Sequence, residues 1–527
     1  MDSQTQFILQ NAHFAISLFA AFVFFACFWL YLDAWMLKRE AKDSLKFAGF
    51  LLLSVSFAIH ATALESTILT SPVLSREVYQ FLFTLFRVGG YIALALGIVL
   101  DPLQKHPHQA FVIIPAGLTF FDFSSFFLPL LSAFVGLLYL RRTSFGLEKH
   151  LNPLALAFFA LSLSELISQS LLFRTTDNIT ILQLVSPFGL FWFVEHILLI
   201  VVLITLGRWV FGYLLKRIQT QLIMLFSASI MVIFLVTTVT FTFLLLKDLQ
   251  KNLLSYLSTD VNVLSFAIES MKQSTLSDAE VLAQNPIIQE AIINRDRKTL
   301  REQTSSYLLS KKQSLLVVSD SKGEVLMRGE DPEKIGDSLF EDSLVKRAIL
   351  GEKISTIVTK DAAIAPQVSV RSLVPIRNDK EIIGIVMVGV TIDNSFVDGV
   401  KAATALETAV YANNIRSATT IVAADGKSRY IGIKEESEVV KKSVLDEGKT
   451  YTGPVEILNV PYFGAFMALK DVDNNPVGML FVGREQLSLL QTASKSIQLS
   501  FILAVFFLSF SVIPAFLISK YIADQVQ

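Results

Sequence analysis

Much of what enzymes use is missing from this sequence. It has one cysteine, Cys27, which excludes a disulfide framework and a cysteine-metal site. None of its six histidines falls between 247 and 498, so no nucleophile there can be paired with a histidine base. Neither a phosphate-cradling glycine loop nor a metal-ligand cluster occurs. Net charge is −1 and the soluble stretch has no basic stripe, so the footprint of a nucleic-acid binder is absent. The N-terminus lacks a basic segment before its first apolar run, so no cleaved signal peptide is expected. His60 and His196, imagined as axial haem ligands, stand isolated in separate spans. A catalytic role and a cofactor are therefore not expected.

What is abundant is apolar surface. Of the 527 residues, 53% are hydrophobic and only 17% charged, with 43 phenylalanines. Mean hydropathy is +0.55, too high for a soluble protein. The excess is uneven: 14–246 is almost continuously apolar, 250–498 has ordinary soluble composition, and 499–519 is apolar again. This pattern predicts a polytopic membrane protein with one large aqueous domain. That domain is long enough to stand on its own core.

Windows of spanning length fall near 14–36, 47–66, 79–100, 152–173, 181–206, 221–246 and 499–519. The stretch 109–140 is too long for one span and is interrupted by Pro115, Asp122 to Ser125 and Pro129. Three loops are basic: Lys38, Arg39, Lys42 and Lys46; Arg141, Arg142 and Lys149; Arg208, Lys216 and Arg217. Placing all three in the cytoplasm requires 109–140 to cross twice. The expectation is then eight spans, an external N-terminus, an external soluble domain and a ninth span returning inward at Lys520; seven spans before the soluble domain, one of them long and bent, is the alternative. Residues 1–220 form the multispan region, 221–246 the span leading out, 247–498 the soluble domain and 499–519 the final span.

The eighth span runs into a helical pattern with Leu253, Leu254, Leu257, Val261 and Leu264 on one face. Beyond 311 the period changes. Strands at 314–320 and 324–328 flank the turn Ser321-Lys322-Gly323, a helix is expected near 341–351, and strands follow at 353–359, 367–376 and 381–391. The order then recurs in brief. Thr419 to Ala424 leads to a turn at Asp425-Gly426 and to Ser428–Gly432, then come a charged helix at 435–446 and strands near 450–457, 462–470 and 476–483. One phrase appears twice: Gly384-Ile-Val-Met-Val-Gly389 after the turn at Asn378-Asp379-Lys380, and Gly478-Met-Leu-Phe-Val-Gly483 after Asp473-Asn474-Asn475. Duplication is the preferred explanation over coincidence among hairpins.

Three segments carry a resemblance. Met327 to Leu339 resembles the loop after the second strand of extracytoplasmic Cache sensor domains, as does Val368 to Ile376 with Ile383 to Gly389. Val460 to Asp471 with Val477 to Gly483 is similar to the second-unit signature of Cache regions in chemoreceptors and sensor kinases. The resemblance covers about 247–520. It implies an α+β, PAS-like tandem Cache domain with antiparallel sheets on a long N-terminal helix, in units of about 247–400 and 401–490, attached to an α-helical polytopic region of no named family. It also implies a small extracellular ligand and a homodimer.

Arg328 and Arg371 match the positions at which citrate-type Cache units hold carboxylates, and a guanidinium fork suits a carboxylate because it donates two parallel hydrogen bonds. Ser369 shares a strand face with Arg371. Gly329-Glu330 stands where the family has a histidine, so citrate itself is not implied. Solvated strand arginines, or pairs with Glu330 and Asp331, are the bland alternative. Tyr462 and Phe463 read as aromatic core before pocket. Within the spans, Arg87 is expected to pair with Glu165 or Glu195, and these residues with His196 form a candidate polar site beside His60, Glu65 and Asp122. A folding role stays open there beside ligand sensing or proton relay.

The expectation is a bacterial transmembrane receptor in the inner membrane, in contact with lipid, passing a helix movement to an output that this sequence does not contain. Residues 520–527 resemble the start of a HAMP-type linker. A transporter or channel regulated by the Cache module is the alternative, and a membrane-embedded enzyme a weaker third.

Overall fold

The computed structural model describes residues 3–65, 68–70, 72–101, 126–146, 148–169, 179–423 and 427–526. The helices of the apolar half are α1 (Ser3–Lys38), α2 (Ala41–Ala61), α3 (Arg76–Val99), α4 (Phe127–Phe145), α5 (Asn152–Ser168), α6 (Ile179–Val185), α7 (Leu190–Leu214) and α8 (Ile218–Ala283). The next helices and strands are α9 (Pro286–Ile293), α10 (Arg297–Lys311), β1 (Leu315–Asp320), β2 (Val325–Arg328), α11 (Ser343–Ile349), β3 (Ile354–Lys360), β4 (Gln367–Asn378) and β5 (Glu381–Thr391). They are followed by α12 (Asn394–Thr404), β6 (Glu407–Ala412), β7 (Ile415–Thr419), α13 (Glu438–Lys441), β8 (Tyr451–Ile457), β9 (Val460–Lys470), β10 (Pro476–Glu485) and α14 (Gln486–Val526). The chain divides into a membrane unit, Met1–Asp248 with Leu487–Gln527, and a soluble unit, Leu249–Gln486.

Among the described residues seven helices are long and apolar enough to cross a membrane. Each holds one of the seven clear apolar windows. The double crossing expected of 109–140 falls largely on residues outside those described; its second half is α4. In hydrocarbon the helix is the one open-ended structure that pairs every backbone group internally, which is why such runs fold this way. Glycines let α2 and α3 pack closely: a Cβ on Gly90 would lie 2.8 Å from Leu53 Cγ, and one on Gly49 2.9 Å from the Gly90 carbonyl oxygen. The basic loops gather around acids at one end of the unit. Asp101, just past α3, meets Lys42 at 3.0 Å, Lys46 at 2.6 Å and Arg142 at 3.0 Å, while Arg217 meets Asp33 at 2.8 Å. The ends of α3 and α4 therefore lie on one side, the two helices run parallel, and the described ends Asp101 and Phe126 lie at opposite ends of the pair.

In the soluble unit, polar caps reset the chain between helices. Asn285 accepts from the Ile287 amide ahead of Pro286, and Asp296 accepts from Lys298 and Thr299. Each half then builds a five-stranded antiparallel sheet, in the order β2-β1-β5-β4-β3 and β7-β6-β10-β9-β8. The second order is the first shifted by five, so the duplication extends to topology. The expected first hairpin of the second copy is displaced, however. It is β6–β7 around Asn413-Asn414, with Asn413 left-handed at φ 52°, and not the stretch around Asp425-Gly426. Val422 and Arg429 form only an isolated bridge, and residues 424–426 lie outside those described. Asparagine tolerates the left-handed conformation that such a turn needs, and the Asp-Gly pair downstream masked it. The final helix begins at Gln486, immediately after β10, rather than near 499.

The doubled phrase is a register feature. Gly384 pairs with Asp320 and Gly389 with Leu315; Gly478 pairs with Ala412 and Gly483 with Glu407. A Cβ at Gly384 would collide with the Ser319 carbonyl oxygen, and one at Gly478 with that of Tyr411. Both glycines exist because a neighbouring strand's backbone occupies the side-chain position.

Candidate ligand-binding site

One face of the first sheet packs on α9 and α10 through Leu316, Val318, Val374, Ile376, Val386 and Val388. The opposite face, through Val317, Leu373, Ile385 and Met387, is covered by Val345 and Ala348 of α11. Strand alternation puts Ser369 and Arg371 on this second face with Leu373, because Arg371 pairs with Gly389 and Leu373 with Met387. Arg328 pairs with Val317, so it faces the same way from the edge strand β2. The three predicted residues thus share a face, with Arg328 three strands from the others.

Their situations differ. Arg328 is already engaged: Nη1 and Nη2 donate to Asp337 Oδ1 at 2.6 Å and Oδ2 at 2.8 Å, and Nη1 also donates to the Lys334 carbonyl at 2.8 Å. This hydrogen-bonded pair holds the Asp337 carboxyl below its usual range. The partner is Asp337, not Glu330 or Asp331. Arg371 is half-buried, and its Nε donates to Ser369 Oγ at 3.1 Å. No carboxylate of a described residue forms an ion pair with it within 4 Å. Burial pulls its guanidinium below the ordinary value, while the charges of Asp342 and Glu330 act against that. Both acids have other work: Asp342 caps α11 by accepting from Leu344 N at 2.8 Å, and Glu330 accepts from Leu316 N at 3.0 Å. The chemistry left over is a positively charged fork under a helix, with donors to offer an anion.

The second sheet fills the corresponding face. Phe481, Phe466, Tyr411 and Tyr462 form its core with Val440 and Val444. A Cβ on Gly464, the residue opposite Gly483, would lie 2.6 Å from Phe481 Cε2. Tyr462 is in this core, and Phe463 is also buried. Sequence reasoning missed Arg416, which is 2% exposed. Its Nε and Nη2 donate to the Tyr411 hydroxyl at 3.2 and 3.1 Å, and Nη1 donates to the Tyr430 carbonyl at 3.3 Å. The hydroxyl in turn donates to Glu435 at 3.4 Å, and burial pushes that carboxyl upward.

In the membrane unit, Arg87 Nε donates to Glu165 Oε1 at 2.9 Å, with the Tyr91 hydroxyl on the same oxygen. The guanidinium carbon lies 3.8 Å from the Phe57 ring centroid. His196 is elsewhere: it contacts His13 at 2.9 Å, and the other nitrogen of His13 contacts the His60 carbonyl at 3.0 Å. The four predicted residues therefore split, with Arg87 and Glu165 in one pair and Glu195 and His196 on the wall of a cavity. His13 went unnoticed in the sequence because it stands just before the first apolar window, 14–36, in the polar stretch Gln10-Asn11-Ala12-His13.

Residues 390–496 match the family described as single Cache domain 3. No curated protein matches the chain. Among solved structures, the periplasmic domain of Vibrio cholerae LuxQ is similar at 11% identity, over 46% of this chain and 99% of that one, with a TM-score of 0.29. The ligand-binding domain of the Campylobacter jejuni chemoreceptor Tlp3, in complex with L-valine, is similar at 14% identity, over 46% and 97%, with a TM-score of 0.33. The family match falls on the second lobe, and the two five-stranded antiparallel sheets, alike in strand order, fit a PAS-like Cache fold. By the length and apolarity of seven helices the chain reads as a membrane protein, and its soluble unit carries a Cache domain over 390–496. Such sensor domains are non-catalytic.

Proposed function

We propose that this chain is a bacterial inner-membrane receptor whose first Cache lobe binds a small carboxylate or amino acid at Arg371 and Ser369. The observation that supports this is the half-buried Arg371 guanidinium, on a helix-covered face, without a carboxylate at ion-pair distance among the described residues. A group of that kind gains most from an arriving anion, since it is already partly desolvated. Arg328, tied to Asp337, braces the loop over the same face and stays secondary in contact with the ligand. Binding shifts α14 relative to α8, and the movement passes to a cytoplasmic output. The receptor acts as a homodimer: Tyr256, Val263 and Phe266 of α8 are 68, 58 and 74% exposed and fall on one helix face at spacings of seven and three.

The test is a thermal-shift screen of the full chain in lipid nanodiscs against small carboxylates and amino acids. A hit is expected to raise the melting temperature saturably, because it binds the folded state alone. Arg371→Ala should abolish the shift. A shift of full size in that variant overturns the assignment.

A further inference from the structure

We propose that the membrane unit carries a second, separate input: a site for a small organic amine with an apolar body, at the end of the unit away from the basic loops. The site is a cavity of about 560 Å³, within the range of small-molecule pockets. Its walls come from the start of α1, the end of α2, the segment leading into α3, and the start of α7. Most of the wall is aliphatic or aromatic, Tyr79, Phe191 and Trp192 included.

Charge selects the ligand. Glu65 and Glu195 both line the cavity, and each lies within electrostatic reach of the other. Arg87 is also within reach of Glu195, but its bond goes to Glu165. Glu195 makes no ion pair within 4 Å among the described residues, whereas Glu165, one helix away, has a full partner. Glu195 faces the cavity in a low-dielectric region beside a second carboxylate, and a cation arriving there supplies the partner that Glu195 lacks at ion-pair distance among the described residues. The cationic side chain on the wall, Arg76, is the first residue of α3 and is exposed to solvent. Aromatic faces add attraction for an ammonium group, and the apolar walls accept its hydrocarbon part.

The position gives the site an outlet. The rim segment before α3 is fastened to α14: the Val73 amide donates to Gln498 Oε1 at 2.8 Å, and Thr70 Oγ1 donates to the Gln491 carbonyl at 3.1 Å. Gln498 itself lines the cavity. An occupant therefore presses on the helix that also leaves the second Cache lobe.

The experiment uses the full chain in nanodiscs and three probes that share a phenethyl body: phenethylamine, the uncharged 2-phenylethanol and zwitterionic phenylalanine, which adds a carboxylate. Phenethylamine should raise the melting temperature saturably in the millimolar range, with the alcohol inert and the amino acid weaker. Glu195→Gln should weaken the apparent affinity at least about tenfold, the change that about 1.4 kcal/mol produces. Glu65→Gln, outside the helices, should do the same and covers the case in which the first variant does not fold. Arg371→Ala should leave the amine response intact, which separates this site from the Cache reading. Equal shifts by alcohol and amine, an unchanged affinity in either glutamine variant, or no saturable shift overturn the proposal.

Discussion

The two Cache lobes share one lattice and differ in what stands on it. Row by row, the central strands pair in the same register, down to the paired glycines. In the first lobe the position opposite the closing glycine is Arg371; in the second it is Gly464, with the Phe481 ring over it. The first lobe thus leaves a charged fork on its covered face, and the second closes that face with aromatic rings. The second lobe has an arginine too, but Arg416 is wholly enclosed by Tyr411, Tyr430 and Glu435. An arginine that is satisfied holds a fold together, while one that is half-satisfied is available to something else.

The largest effect should come from removing the aromatic fill. Phe481→Ala is expected to destabilise the second lobe by about 4 kcal/mol, read by hydrogen exchange confined to residues 407–485. The equivalent Met387→Ala in the first lobe should cost about 2–3 kcal/mol. If the two costs are equal, the lobes are packed alike and the contrast fails. Next come the arginines. Arg416→Met leaves the buried Tyr411 hydroxyl and the Tyr430 carbonyl without their donor, removes the positive charge near Glu435, and should cost about 3 kcal/mol. Arg371→Met should change stability by about 1 kcal/mol or less, so a large loss there would make it a structural residue.

The glycines come third. Gly384→Ala and Gly478→Ala should each cost about 2–3 kcal/mol, as overpacking against fixed backbone does. Unequal losses would show that the shared register is not equally rigid. The smallest contrast is with pH. Asp337 is held low by Arg328, so its contribution is present above the ordinary aspartate range and is lost as pH falls through its lowered value. Glu435 is pushed up by burial, so its neutral form favours the folded lobe and stability rises as pH falls through its raised value. Between pH 6 and 3, exchange should therefore slow at the second lobe and later quicken at the first. Glu435→Gln should remove the slowing.

Apolar length and strand alternation carried most of the fold. The seven clear windows fall on seven helices, and β5 spans 381–391, the bounds read from its apolar run after the Asn378-Asp379-Lys380 turn. The paired glycine phrases were legible because close backbone approach admits only one residue type. The Asn413-Asn414 turn was not, since two asparagines signal a turn more weakly than Asp-Gly. The early start of α14 was hidden because 486–498 is amphipathic and reads as soluble. At the sites, Arg371 and Ser369 could be placed on one face from period two alone. The closure of Arg328 by Asp337 depends on a loop whose path no periodicity encodes. Arg416 looked like any surface strand arginine, because its enclosure comes from residues 411, 430 and 435 that only the folded sheet assembles.

Strand β10 ends at Glu485 and α14 begins at the next residue, with the Gln486 side chain donating to the Tyr462 carbonyl at 3.3 Å. A joint with no loop has no backlash. A flexible connector would absorb small displacements of the sheet; here a displacement of β10 has nowhere to go but into the helix, as rotation or as axial travel. On the proposed function the second lobe would serve less as a second sensor than as a stiff crank, with its aromatic filling supplying the stiffness.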